Sequence, residues 1–135
     1  VYAERRRITY MTQDNALFQG TVRDNLLWRN RVSDTEILAL LSRLGLEKGL
    51  DTRIDNGGTE FSGGQRKCLL LTRALLEDSP IYLLDEAFAG VDERHGSLIR
   101  EELERVAQPA LVIVITHDQA ALEDLEKTGR QVLII

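Results

Sequence analysis

The chain has 135 residues, 43% of them hydrophobic and 29% charged, with 17 Lys+Arg against 22 Asp+Glu and a formal net charge of −5. That size and balance fit one globular domain or a large piece of one. They leave no basic stripe for nucleic acid, and no apolar stretch nears the ~20 residues that a membrane-spanning helix needs.

Arg5–Arg7 stand where the apolar part of a secretory leader would lie, and the run reads as a solvated strand end. Ile8–Met11 reads as a short strand, with Gln13 just beyond it. Thr21–Leu44 reads as consecutive helices rather than a strand–helix unit. Within it Ser33-Asp34-Thr35-Glu36 is a capping box, Ile37, Leu38, Leu40, Leu41 and Leu44 follow at helical spacing, and Gly45 is the stop. Gln65–Leu76 is a helix apolar over most of its surface, and therefore buried; its Cys68, alone in the chain, is a small core residue of a reducing compartment. Pro80 and Pro109 each precede a branched apolar run, Ile81–Leu84 and Ala110–Ile115, and such runs fit parallel strands buried on both faces. Ser97–Val106 is an amphipathic helix with Leu98, Ile99, Leu103 and Val106 inward; Asp118–Leu125 opens another, and Val132–Ile135 reads as a weaker last strand. The alternation is α/β.

Five places carry chemistry. Asp85 and Glu86 end the run Ile81-Tyr82-Leu83-Leu84, at the carboxyl end of a buried strand, where open α/β sheets bind ligands. There Asp85 suits Mg²⁺, directly or through water, and Glu86 suits a general base on water; an acidic helix cap after a strand is the plainer reading. Ser62 and Gln65 form a second capping box around Gly63 and Gly64. A capped helix accounts for Ser62 and Gln65. It leaves unexplained two glycines that each cost about 1 kcal/mol of helix stability, and those glycines would let a phosphate approach the helix N-terminus. His117 stands at the end of another strand and is placed to hold a phosphate or water, though a structural histidine is the commoner case. Gln13 can offer an amide to Mg²⁺ or water, and in isolation is an ordinary surface glutamine. Asp92, in Ala89-Gly90-Val91-Asp92, can stabilise a turn as readily as bind a ligand.

The order of these signals is more specific than any one of them. Gln13, Ser62-Gly63-Gly64-Gln65, Asp85-Glu86, Asp92 and His117 resemble, in turn, the Q-loop, signature, Walker B with its glutamate, D-loop and H-loop of ATP-binding-cassette (ABC) transporter ATPases. Arg66-Lys67, Thr72-Arg73-Ala74-Leu75 and Asp78-Ser79-Pro80 match the flanking text, and Phe18–Leu26 with Thr59-Glu60 resembles the exporter branch. Phe61 for Leu in the signature, Ala89-Gly90-Val91-Asp92 for Ser-Ala-Leu-Asp, and Asn56-Gly57-Gly58 depart from the pattern. The Walker A loop Gly-x-x-x-x-Gly-Lys-Ser/Thr occurs nowhere in the chain; Lys48, Lys67 and Lys127 all follow other residues than glycine.

The resemblance implies a partial P-loop NTPase (RecA-like) parallel sheet with an ABC helical subdomain. Residues of about 14–64 would form the Q-loop and helical part, and 65–135 the Walker B and H-loop part of the core. It implies ATP and Mg²⁺ as ligands, a head-to-tail dimer with a second ABC domain, transmembrane coupling helices against Phe18–Asn25 and Asp34–Leu44, and a place at the cytoplasmic face of the membrane. Asp85 and Gln13 would serve the metal, Glu86 and His117 the hydrolysis, and Ser62, Gly63, Gly64, Gln65 and Asp92 the nucleotide. The missing Walker A strand would lie between the His117 strand and Val132–Ile135. The chain is expected to be a piece of a full-length exporter ATPase, since it begins mid-domain without a methionine, and to be inactive alone. A partner-binding half-site module and a non-transport ABC ATPase are the alternatives, the second disfavoured by Phe18-Gln19-Gly20-Thr21.

Overall fold

A computed structural model of the chain describes residues 8–27, 32–108 and 110–127. The expectations for Arg5–Arg7, Pro109 and the strand Val132–Ile135 lie outside the described residues. The elements in chain order are β1 (Ile8–Met11), β2 (Gly20–Thr21), α1 (Val22–Leu26), α2 (Asp34–Arg43), β3 (Arg53–Ile54), α3 (Gly63–Leu75), β4 (Ile81–Asp85), α4 (Glu93–Val106), β5 (Leu111–Ile115) and α5 (Gln119–Lys127).

The main sheet has the order β1-β4-β5 and is parallel throughout, with Ile8 opposite Ile81 and Ile81 opposite Leu111. Parallel pairing needs long crossovers, and the helical segment of residues 12–80 supplies the first. One sheet face is closed: Met11, Tyr82, Leu84 and Val114 are buried against a core that includes Leu69, Leu71 and Ile99. The other face corrects the expectation of strands buried on both sides. Ile8, Tyr10 and Leu111 remain 59%, 51% and 55% exposed. Strand register explains this, because Ile8, Ile81 and Leu111 share one row and Tyr10, Leu83 and Ile113 the next, all on the open face.

The helix ends follow local chemistry. Ser33 and Ser62 both make complete capping boxes, with Glu36 and Gln65. Thr21 makes a third with Asp24 and opens α1. Gly45, at φ 74°, ends the turn after α2. Two boundaries differ from expectation. Helix α3 begins at Gly63 rather than Gln65, so both glycines lie in its first turn. Helix α4 begins at Glu93, four residues before Ser97, because Asp92 caps it through the His95 N–H. The two-residue ladder of β2 with β3 is too short to leave a sequence pattern; it joins the segment after Gln13 to the loop before α3. Asn25, fully buried, fixes that segment by bonding the Phe18 N–H at 2.9 Å and the Phe18 and Thr21 carbonyls at 2.9 and 3.0 Å. The Phe18 side chain is left exposed.

Candidate functional site

The parallel sheet brings the ends of β1, β4 and β5 to one edge, which collects Gln13, Asp85, Glu86 and His117. Glu86 is buried in a left-handed conformation, φ 56°, a cost of order 1–3 kcal/mol for a non-glycine residue. Its N–H donates to the Ile115 carbonyl at 2.8 Å, which fixes the end of β4 against the end of β5. That bond and the turned backbone aim the carboxylate at the His117 loop. His117 Nε2 lies 3.5 Å from Glu86 Oε1, with the histidine exposed and the glutamate enclosed. Thr116 is buried beneath and accepts the Asp118 N–H, and Asp118 in turn accepts the Ala121 N–H at the start of α5. His117 is thus presented outward from a braced turn.

A cleft of about 420 Å³ opens beside this edge. Gln13, Gly63, Lys67 and Gly90 line it, so the loop after β1, the start of α3 and the loop before α4 meet there. Lys67 had no assigned role in the sequence. Partial burial lowers its pKa below the usual lysine value, against the raising attraction of Glu86 and Asp85. Its position in the second turn of a buried helix is the signal that a site inventory by motif passes over.

The two glycines have a packing reason that the sequence did not reveal. A Cβ on Gly63 would stand 2.9 Å from the Gly90 carbonyl oxygen, and a Cβ on Gly64 would stand 2.7 Å from Asp92 Oδ2 and 2.9 Å from His95 Nδ1. The loop before α4 therefore lies directly on the first turn of α3. Ser62 Oγ accepts the Gln65 N–H at 3.1 Å and Gln65 Oε1 accepts the Ser62 N–H at 3.0 Å, so both polar side chains serve the cap. The Gly63 and Gly64 N–H groups are among those a helix leaves without an intrahelical partner. Asp92 is occupied locally, with Oδ1 accepting the His95 N–H at 3.0 Å and Oδ2 2.6 Å from His95 Nδ1. Those two contacts, the backbone one first, hold its pKa below the usual aspartate value.

Among the described residues no three His, Cys, Asp or Glu side chains gather as a metal cage. One strand-end carboxylate, Asp85, with an exposed amide, Gln13, is a donor set too small for an all-protein site. It fits Mg²⁺, which keeps waters and takes phosphate oxygens as its other ligands. No helix among the described residues is long and apolar enough to cross a membrane.

A family model described as ABC transporter matches residues 2–89. The chain is 33% identical over 134 residues to an ATP-dependent lipid A-core flippase of Hahella chejuensis, covering 91% of the chain and 23% of that protein. It is 40% identical over 121 residues to the glutathione/L-cysteine transport system ATP-binding/permease protein CydC of Escherichia coli K12, covering 85% of the chain and 21% of that protein. A solved bacterial Atm1-family ABC exporter with ATP bound superposes with a TM-score of 0.83 at 25% identity, over 99% of this chain and 24% of that one. The chain thus spans about a tenth to a quarter of the length of the curated relatives it matches.

Proposed function

The chain belongs to the ABC transporter family as part of an exporter-type nucleotide-binding domain, and from that premise we propose that its residues form half of an ATP-hydrolysing site that drives transport. The observation that carries the reading is the pairing of enclosed Glu86 with exposed His117 at 3.5 Å, at the sheet edge that also holds Asp85 and Gln13. In this reading Glu86 takes the proton of the attacking water. His117, presented by its braced turn, hydrogen-bonds the transferring phosphoryl group. Asp85 and Gln13 hold Mg²⁺ and water; the bound Mg-ATP supplies the phosphoryl group and the cation that offsets its charge.

The capped start of α3, with Ser62, Gly63, Gly64 and Gln65, presents its N–H groups to a nucleotide held by a second ABC domain, in a head-to-tail pair. Asp92 belongs to the loop that packs on that helix start. Residues of about 14–64 form the helical part, whose exposed Phe18 and α2 meet transmembrane coupling helices, and residues 65–135 form the Walker B and H-loop part. The assembly would work at the cytoplasmic face of a membrane. This chain lacks a Walker A loop, so by itself it holds ATP poorly and does not turn it over.

The test uses the full-length transporter. Glu86→Gln should abolish hydrolysis while Mg-ATP still binds and stabilises a closed dimer, and Asp85→Asn should lower the rate and raise the Mg²⁺ needed. Near-normal hydrolysis in Glu86→Gln would remove Glu86 from the role of base.

A further inference from the structure

His95 is a residue that the hydrolytic reading does not use. It is 7% exposed, on the first turn of α4. Its Nδ1 lies 2.6 Å from Asp92 Oδ2, and among the described residues its Nε2 is a buried nitrogen with no hydrogen-bond partner. A buried polar atom left unpaired is unfavourable, and an apolar side chain of similar volume would avoid the penalty. Packing alone therefore does not explain a histidine here. The two ring nitrogens lie toward different elements. On one side Nδ1 and Asp92 Oδ2 press on Gly64 so closely that a Cβ there would stand within 3 Å of both. On the other side Nε2 points to the turn after α2, 3.8 Å from where a Cβ of Gly45 would be.

The consequence is electrostatic. The N-terminus of α3 is the end that attracts anions, and the Asp92 carboxylate lies beside it. With Oδ1 on the His95 N–H and Oδ2 on Nδ1, both carboxylate oxygens are engaged by His95, although Oδ2 lies against the first turn of α3, 2.7 Å from where a Gly64 Cβ would be. Without the Nδ1 contact, Oδ2 alone would be freed, since Oδ1 keeps the His95 N–H, and its negative charge beside Gly64 would compete with a phosphate for the helix start. We propose that His95 is a positioning residue that tethers Asp92 to α4 and so keeps the start of α3 open to the nucleotide phosphate. This rests on the reading of α3 as a phosphate-accepting helix.

The experiment is steady-state hydrolysis by the full-length transporter carrying His95→Asn, His95→Gln or His95→Leu, with Glu86→Gln as control and melting temperature recorded for each. Asn keeps a donor near the Nδ1 position and should retain wild-type kinetics. Leu removes the donor and the unpaired nitrogen, so it should fold at least as stably, yet raise the KM for Mg-ATP roughly tenfold with a smaller change in kcat. Gln carries its donor one bond further out and should behave as Leu does, which covers the case in which Leu fails to fold. Adding Asp92→Asn to the Gln variant should recover part of the lost affinity, because a neutral amide competes less with phosphate. Unchanged KM in the Gln variant overturns the proposal, as does a loss that Asn shares. If Glu86→Gln still hydrolyses ATP, the hydrolytic reading itself has failed, a separate outcome.

Discussion

Glu86 shows how little of a site needs to be conformationally ordinary. Its positive φ and its bond to the Ile115 carbonyl place a carboxylate where a relaxed strand end would not. Gly63 meets a constraint of another kind, since the atom nearest its missing Cβ is the Gly90 carbonyl oxygen, which no rotamer change can move. Gly63→Ala should therefore lower stability by about 1–2 kcal/mol, overpacking outweighing the helix-propensity gain of about 1 kcal/mol; urea denaturation measures it, and a stabilised variant would show that the loop yields. Cys68 is the opposite case, a residue whose setting silences it. Burial pushes its thiol pKa up to about 12. Raised in the fold, this pKa stabilises the folded chain below the ordinary thiol value, and that contribution is lost as pH rises toward the folded value. At pH 8 a thiol reagent should label Cys68 no faster than the chain unfolds, a rate read by following labelling and fluorescence together. The residue types at the sheet edge were legible in order and spacing. Lys67 and His95 were not, because Lys67 lies near Asp85 and Glu86, 18 and 19 positions away, and His95 packs on the start of another helix at Gly64.

At the scale of elements, helix starts were the most legible feature, since a capping box is written within four consecutive residues. Ser33–Glu36 and Ser62–Gln65 both form as the pattern requires. The start of α4 was displaced because Glu93, Arg94, His95 and Gly96 break the apolar spacing, and only the Asp92 cap holds them in the helix. Helices α2 and α4 are joined by a contact that periodicity cannot show. Arg43 Nε and Nη2 donate to the two oxygens of Glu102 at 2.9 and 3.1 Å, and Glu102 is buried with Arg105 Nε 3.4 Å away. Arg43→Met strands that carboxylate with one partner and should cost roughly 1–3 kcal/mol, discounted because the Arg43 side chain is 40% exposed. Arg43→Met combined with Glu102→Leu should recover most of the loss in the same thermal melts. Equal destabilisation by the single and double variants would assign the effect to Arg43 packing rather than to the ion pair.

For the molecule as a whole, the proposed inactivity of the separate chain follows from charge. Asp85 and Glu86 stand together at the sheet edge, near enough to Lys67 for their attraction to act on it, and a triphosphate meets them without the N–H cradle and lysine of a Walker A loop. The start of α3 offers about 1 kcal/mol of helix-dipole attraction, whereas a 1 mM dissociation constant already needs about 4 kcal/mol. Calorimetry of the separate chain with Mg-ATP should show millimolar binding or weaker and no turnover; micromolar binding would contradict it. The same chain should add its α3 start to an intact partner domain, where the nucleotide is already held.

What the sequence by itself determined is whatever is written in near neighbours: the apolar runs that become β1, β4 and β5, the caps of α2 and α3, and the ordered polar residues that mark the family. Tertiary structure decided the rest. Only strand register reveals that Ile8, Tyr10 and Leu111 lie on an open face, since each run read alone is apolar enough to be buried twice. Only the packing of the loop before α4 on the first turn of α3 shows why residues 63 and 64 are both glycine, and that Asp92 is tied to His95. Local chemistry acts over a few residues and is carried by the sequence directly. Close approach between distant segments depends on where the chain returns, which is fixed only when the sheet has formed.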